Sequence, residues 1–409
     1  MRVERHLDKY NRRRSSRIIL ALAIVLLIVT VASLAWLFLS SQNKAKPKTS
    51  SPNQSLNNNA FSAKTPTKIS GRYLFSGMVV IARATAYYAN GDFNQPFSKL
   101  ASFSPEKYDE WAVDLECPMT TKRQSFQYEV ANTVFNCHPE FLTAMSKYFS
   151  IYALSNNHTA DLGPTSMAET QKHLEDGGVQ SYGNYDPSIV EDACSILAVK
   201  THLIYPDGKA DVATLPIAFC AWHYFERAPA PGEMEIMKQY AEIMPVWGFS
   251  QVGVEYRSSA DERQIEIGHK LIDYGADFAI ENSPHWVQQS EVYKGKPIFY
   301  STGNFIFDQL DPETNRGVSI DVSMQIKYDE NVGKWLELAS TCNPKKLRDN
   351  CLEQARLRQL KKFLPEYRYE VIASKTGLRK ITERGDDELQ KAVEQRLDWT
   401  DTRAQLGQR

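Results

Sequence analysis

What this sequence has least of is charge imbalance. Its 48 Lys and Arg nearly cancel 49 Asp and Glu, leaving a net charge of −1 over 409 residues. A nucleic-acid partner is normally announced by a basic face, and this balance implies none. The six cysteines include no Cys-x-x-Cys pair, which removes the zinc knuckle from consideration. No internal repeat is present, and no low-complexity tract outside residues 41–71. Residues 18–39 contain no charged side chain, and only Thr30 and Ser33 interrupt their apolar character.

That last absence bears on placement. At about 1.5 Å per residue the run spans roughly 30 Å, the hydrocarbon thickness of a bilayer. Arg2, Arg5, Lys9, Arg12, Arg13, Arg14 and Arg17 precede it, and Lys44, Lys46 and Lys48 follow it. The positive-inside rule then puts the N-terminus in the cytoplasm and the body outside, as a single-pass cell-membrane protein. The alternative is a cleaved signal peptide. Its apolar region is usually about 7–15 residues long, and no clear small-x-small cleavage signal follows here.

The expected organisation is a basic cytoplasmic tail (1–17), a transmembrane helix (18–40), a flexible stalk (41–71), a globular body (72–328) and a C-terminal helical appendage (329–409). The stalk is rich in Ser, Asn, Pro, Thr and Lys, and a chain of about 30 such residues reaches on the order of 30 Å. An extracytoplasmic body permits disulfides. Cys342 and Cys351 flank a short polar loop, and Cys117 and Cys137 can staple another. Sequence does not fix the pairing, and six reduced cysteines stand as the alternative.

Within the body, β-rich or apolar runs at 72–82, 111–116, 151–154, 195–199, 215–220, 278–280, 298–300 and 318–326 read as strands. Helical patterns occupy 165–176, stopped by Gly177-Gly178, and 259–274, with Gly275 as its C-cap. Two charged helices are expected at 352–364 and 387–397. Strands alternating with helices give an α/β body, and the strand-heavy second half gives it mixed or paired sheets.

Chemistry in such folds sits on loops at strand ends. Three loops qualify: Asp114-Leu115-Glu116-Cys117-Pro118, the 155–163 segment SNNHTADLG, and Glu281-Asn282-Ser283-Pro284-His285. Each offers oxygen or imidazole groups of the kind that hold a divalent cation. Blander readings exist for each. Asn156, Asn157 and His158 can cap a helix or close a turn. Glu116 can be an ordinary loop acid, and His285 can stack on Trp286. Gly303-Asn304 suits a turn with positive φ, and Glu255-Tyr256 can brace the site without joining it.

Taken together, these loops resemble the CapA family, which is linked to bacterial capsule and poly-γ-glutamate biosynthesis and carries a calcineurin-like metallophosphatase fold. The resemblance runs from about Tyr73 to about Tyr328. The family's N-L-E stands here as Asp114-Leu115-Glu116, and its A-N-N-H-x-x-D-x-G as residues 155–163. Its G-x-E-Y element is matched by Gly253-Val254-Glu255-Tyr256, its x-P-H by Ser283-Pro284-His285, and its closing Y-S-L-G-N-F by Tyr300 to Phe305.

Three departures fall on positions that resemble ligands. The family's G-D is Gly77-Met78, the histidine before G-x-E-Y is Gln251, and the G-H before x-P-H is Glu281-Asn282. A thioether does not bind a hard cation well, and neutral amides bind it weakly. The resemblance thus implies Glu116, Asn156 and His285 as remaining ligands for a Mn, Zn or Fe ion. His158, with Asn157 beside it, would be the catalytic group. It also implies an extracellular polymer, anionic if it is poly-γ-glutamate, and a membrane biosynthesis complex as partners. The replaced ligands favour a degenerate site that binds polymer or partner over an active hydrolase or transferase. A non-catalytic tethered scaffold comes last.

Overall fold

The computed structural model describes residues 65–225, 227–339, 342 and 348–408. The expected tail and transmembrane helix, and the stalk up to residue 64, lie outside the described residues. No helix among the described residues is long and apolar enough to cross a membrane. The chain after Ser62 gathers into one compact unit.

Among the described residues this unit is built on fourteen strands. They are β1 (Lys68–Val79), β2 (Glu110–Leu115), β3 (Ile151–Ala153), β4 (Gln180–Tyr182), β5 (Cys194–Ile204), β6 (Ala210–His223), β7 (Val246–Gln251), β8 (Phe278–Asn282), β9 (Ser290–Tyr293), β10 (Lys296–Phe299), β11 (Asn304–Ile306), β12 (Arg316–Lys327), β13 (Glu366–Thr376) and β14 (Thr382–Arg384). β1 belongs to two layers. Its first half pairs antiparallel with β12 and β5, and its second half parallel with β2 and β11, with a register shift between Phe75 and Met78. A shift of that kind bends and twists the strand so that one chain can serve both layers. One layer continues from β1 through β2, β3 and β4, and the other through β5, β6, β7, β8, β10 and β9.

Side-chain alternation assigns the two faces. Tyr73 and Phe75 point between the layers, where the Phe75 ring lies 5.4 Å from Trp247 and 5.7 Å from Phe249. Leu74, Trp111 and Val113 point to the other side and form a second core with Phe103, Phe149 and Phe305. The expected α/β body with a mixed sheet and flanking helices is what the chain adopts. The helix expected at 165–176 spans Thr165–Asp176. The one expected at 259–274 spans Glu262–Asp273, opened by a capping box between Asp261 and Gln264.

Two expected boundaries move. The stalk does not extend to residue 71, because β1 starts at Lys68, with Ile69 buried between Ile326 and Leu203. Nor do residues 329–409 form a helical appendage. β13 pairs with β12 from Gln325↔Glu366 to Arg316↔Lys375. Its Tyr367 hydroxyl bonds to Asp277 and accepts from Trp247 Nε1 at 3.0 Å, and Trp399 packs on Phe299. The helices Arg348–Leu357 and Asp387–Leu397 are present, but they accompany strands that complete the sheet.

All six cysteines are paired. Cys117–Cys137 and Cys342–Cys351 are the two foreseen pairs, and Cys194–Cys220, across the β5–β6 ladder, is a third.

Candidate functional site

β1, β2, β3, β7 and β8 all end toward one edge, and the polar residues of the motifs follow those ends. Met78 and Ala153 flank Asp114 in register, and Gln251 lies opposite Asn282. The parallel direction of these strands brings three loops, distant in sequence, to one place.

At the centre, Asp114 is buried between two amides. Asn156 donates from Nδ2 to Asp114 Oδ1 at 3.0 Å and to the Leu115 carbonyl at 2.9 Å. Asn282 donates from Nδ2 toward Asp114 Oδ2 at 3.5 Å. The amide oxygens are engaged elsewhere. Asn156 Oδ1 accepts from the His158 amide and the Thr159 hydroxyl, and Asn282 Oδ1 accepts from the Thr302 hydroxyl at 2.5 Å. Burial pushes the Asp114 carboxyl up to about 7, against the lowering effect of the two amides.

Glu116 is also buried, and its Oε2 has no hydrogen-bond partner among the described residues. Burial pushes its carboxyl well above the usual range, and Asp114, Glu255 and Asp161 add to that rise. His158 places Nδ1 2.8 Å from Asp161 Oδ2, and Phe135 covers its ring at 4.0 Å. Asn157 is held by its backbone N–H, which donates to Gln251 Oε1 at 2.9 Å.

His285 is buried with Nδ1 2.8 Å from Asn304 Oδ1 and Nε2 3.5 Å from Glu255. Its hydrogen bond to Glu255 holds that carboxyl below the usual range. The ring stacks on Tyr256 at 5.6 Å and meets Phe307 edge-on at 5.1 Å, so the expected packing on Trp286 is replaced by these two. Ser283, His285 and Tyr256 have φ of 116°, 60° and 57°. Non-glycine residues in that region carry strain, which proteins concentrate at functional sites.

Some site residues escaped the sequence reading. Gly303 has a φ of 68°, as a turn requires, but Asn304 is a buried partner of His285 and not only a turn residue. Glu255 is more than a brace, since it faces His285 directly. Asp161 had a signal, three residues after a histidine. Glu281, the carboxylate beside the altered Asn282, faces away. Successive residues of β8 point to opposite sides, so Glu281 meets Ser250 and lies under Gly268 of the 262–273 helix.

This donor set does not fit a two-ion centre. A cation needs lone pairs, but the two amides present N–H groups to Asp114, and both amide oxygens already accept hydrogen bonds. His285 has Nδ1 on Asn304 and Nε2 toward Glu255. Among the described residues, no three His, Cys, Asp or Glu side chains gather to hold an ion. Glu116 keeps one buried carboxylate oxygen without a hydrogen-bond partner among the described residues.

Comparison with known proteins agrees with the motif pattern. The protein is 29% identical over 174 residues to "PGA biosynthesis protein CapA" of Bacillus subtilis (strain 168), covering 39% of this chain and 43% of that one. It is 27% identical over 203 residues to "Capsule biosynthesis protein CapA" of Bacillus anthracis, covering 46% of this chain and 47% of that one. The matched region thus spans about half the length of these curated relatives. The crystal structure of calcineurin-like phosphoesterase YfkN from Bacillus subtilis superposes with a TM-score of 0.40 at 12% identity, covering 71% of this chain and 99% of that chain. Agreement at that level decides nothing about chemistry. The model of the bacterial capsule synthesis protein family PGA_cap matches residues 72–205 and 238–309, half of the chain and every loop of the site. The chain therefore belongs to the bacterial capsule synthesis protein family PGA_cap.

Proposed function

We propose that this protein is a membrane-anchored, extracytoplasmic component of capsule or poly-γ-glutamate biosynthesis or export. Its centre binds the polymer, or a partner of the biosynthetic complex, without turning it over. The apolar run at 18–39 and the basic residues before it support the anchor. The observation that carries the binding reading is the pair of amide N–H groups directed at Asp114, where a metal centre would present lone pairs. With the carboxyls of Asp114 and Glu116 both pushed up by burial, the centre is less negative than two free carboxylates would make it, which lowers the repulsion of an anionic polymer.

A second reading, a metal-dependent hydrolase or transferase, is favoured by the unengaged oxygen of Glu116 and the His158–Asp161 pair. Elemental mass spectrometry of the full chain in detergent, beside a Glu116→Ala/His285→Ala variant, separates the two. The binding reading expects far less than one Mn, Zn or Fe per chain in both proteins. It also expects wild-type protein to retain poly-γ-glutamate in the presence of chelator. One or two ions per chain, lost in the variant, would establish the hydrolase reading instead.

A further inference from the structure

A second cleft opens beside the site, between the helices Arg83–Ala89 and Phe126–Asn132. It encloses about 290 Å³, at the lower end of the range of small-ligand pockets. Its walls are aromatic. Tyr87 is 66% exposed, Phe93 37% and Phe126 38%. Tyr87 and Phe126 lie 5.5 Å apart as one wall, and Phe93 leans on the buried Phe141 at 5.0 Å as the other. Exposed rings normally lose area to the core or to a partner, so three of them lining one concavity call for an occupant.

Glu129 lines the same cleft and is 3% exposed. Its Oε2 accepts from the Arg83 backbone N–H at 3.1 Å, and its Oε1 has no hydrogen-bond partner among the described residues. A buried carboxylate oxygen left unpaired is costly, and a ligand donor would remove that cost. The Arg83 guanidinium makes its direct ion pair with Asp308 and lies 4.2 Å over the Phe135 ring, so it acts on Glu129 only through its charge at a distance. His138, also in the lining, is biased toward its neutral form by burial and by Arg123. Glu129 is therefore the acid of the cleft, with burial pushing its carboxyl up to about 7 and one oxygen left without a donor among the described residues.

A single acid beneath aromatic walls is the arrangement that recognises an organic cation. The ring faces attract the cation, and the carboxylate accepts its N–H groups. We infer that this cleft is a binding site for a primary ammonium group carried on an aliphatic stem, with Tyr87, Phe93 and Phe126 around the stem and Glu129 as the acceptor. A lysine-like side chain on a peptide presents that chemistry in full, and the free amino end of a γ-glutamyl chain, a source that rests on the proposed function, presents it with an α-carboxylate beside the ammonium. The site is separate from the Asp114 centre and stands whether that centre binds or reacts.

The test is calorimetry on the full chain in detergent with three probes: Nα-acetyl-lysine methylamide, its Nε-acetylated neutral counterpart, and a short γ-linked glutamate oligomer with a free amino end. The lysine probe is expected to bind, and the neutral counterpart to bind at least about tenfold more weakly. Binding of the oligomer but not the lysine probe, abolished by acetylating its amino end, would assign the polymer as the source. Glu129→Gln keeps an acceptor for the Arg83 N–H and should lose at least about tenfold in affinity. Tyr87→Ala, at an exposed position outside the core, should weaken binding with an unchanged melting temperature. No binding of any probe, or binding that Glu129→Gln leaves intact, would overturn the inference. Equal binding of charged and neutral probes would overturn it as well.

Discussion

Asn156 turns the nitrogen end of its side chain to Asp114, 3.0 Å away, and its oxygen back to the His158 amide. That orientation gives the Asp114 carboxyl a protein N–H donor at each oxygen, together with Asn282 on the other side. It also suggests how metal binding can be restored. Met78→Asp, Gln251→His and Asn282→His together return carboxylate and imidazole to the strand ends. Met78 is fully buried and in register with Asp114, so an aspartate there is destabilising in chelator, on the order of 3 kcal/mol. Thermal melts should show the triple variant below wild type in EDTA and recovering with Mn²⁺ or Zn²⁺, while wild type does not respond. A triple variant indifferent to metal would mean that these strand ends do not form a ligand shell.

Asp114 also sets a pH dependence. Its folded carboxyl is raised to about 7, above an unfolded value of about 3.9. The folded state therefore binds the proton more tightly than the unfolded state. The stabilising contribution is complete below about pH 4, falls as pH rises to about 7, and is absent above that. Asp114→Asn removes this titration. Denaturant melts in chelator should place the variant progressively above wild type between pH 4 and 7, by up to about 4 kcal/mol, with no further change at higher pH. A constant difference across that range would show that Asp114 ionises normally.

The loops of the centre were legible because their residue types are unusual at strand ends. Asn156, His158 and His285 stand out by identity alone. Their partners did not. Asn304 reads as a turn residue beside Gly303, and only the β1–β11 pairing brings it under His285. Glu281 is a carboxylate at an altered motif position, and its place one residue before Asn282 on β8 puts it on the opposite face, against Ser250. The sheet's far edge was missed for a different reason. Glu366–Thr376 contains Tyr367, Tyr369, Val371 and Ile372 in a strand-like run, but charged helices on both sides drew the reading toward an appendage.

The place of β13 can be tested by truncation. Ending the chain at Tyr328 would leave β12 as an open edge and would remove Tyr367 and Tyr369, whose rings lie 5.9 Å from Phe278. An appendage could be removed with little effect. Here the expected product is insoluble or aggregated, because a long unpaired strand and an uncovered aromatic core are both exposed. Size-exclusion chromatography and near-UV circular dichroism would read the outcome, and a monomeric, native-like truncated protein would refute the integral role of β13.

Gly77 tests the strand junction on which the whole site rests. A Cβ at this position would lie 1.9 Å from the Gly303 carbonyl oxygen, which accepts the Met78 N–H at 3.2 Å. Both are backbone groups of the strands that carry Met78 and Asn304, so neither can rotate aside. Gly77→Ala must push β11 from β1 and move Asn304 away from His285. The expected cost is above about 3 kcal/mol, enough to unfold a marginal domain. Gly91→Ala is the comparison. Its φ of 85° is unfavourable for alanine, but nothing lies within 4 Å of the added methyl. It should cost only about 1–2 kcal/mol. If the two variants melt alike, close approach of β1 and β11 does not limit the fold.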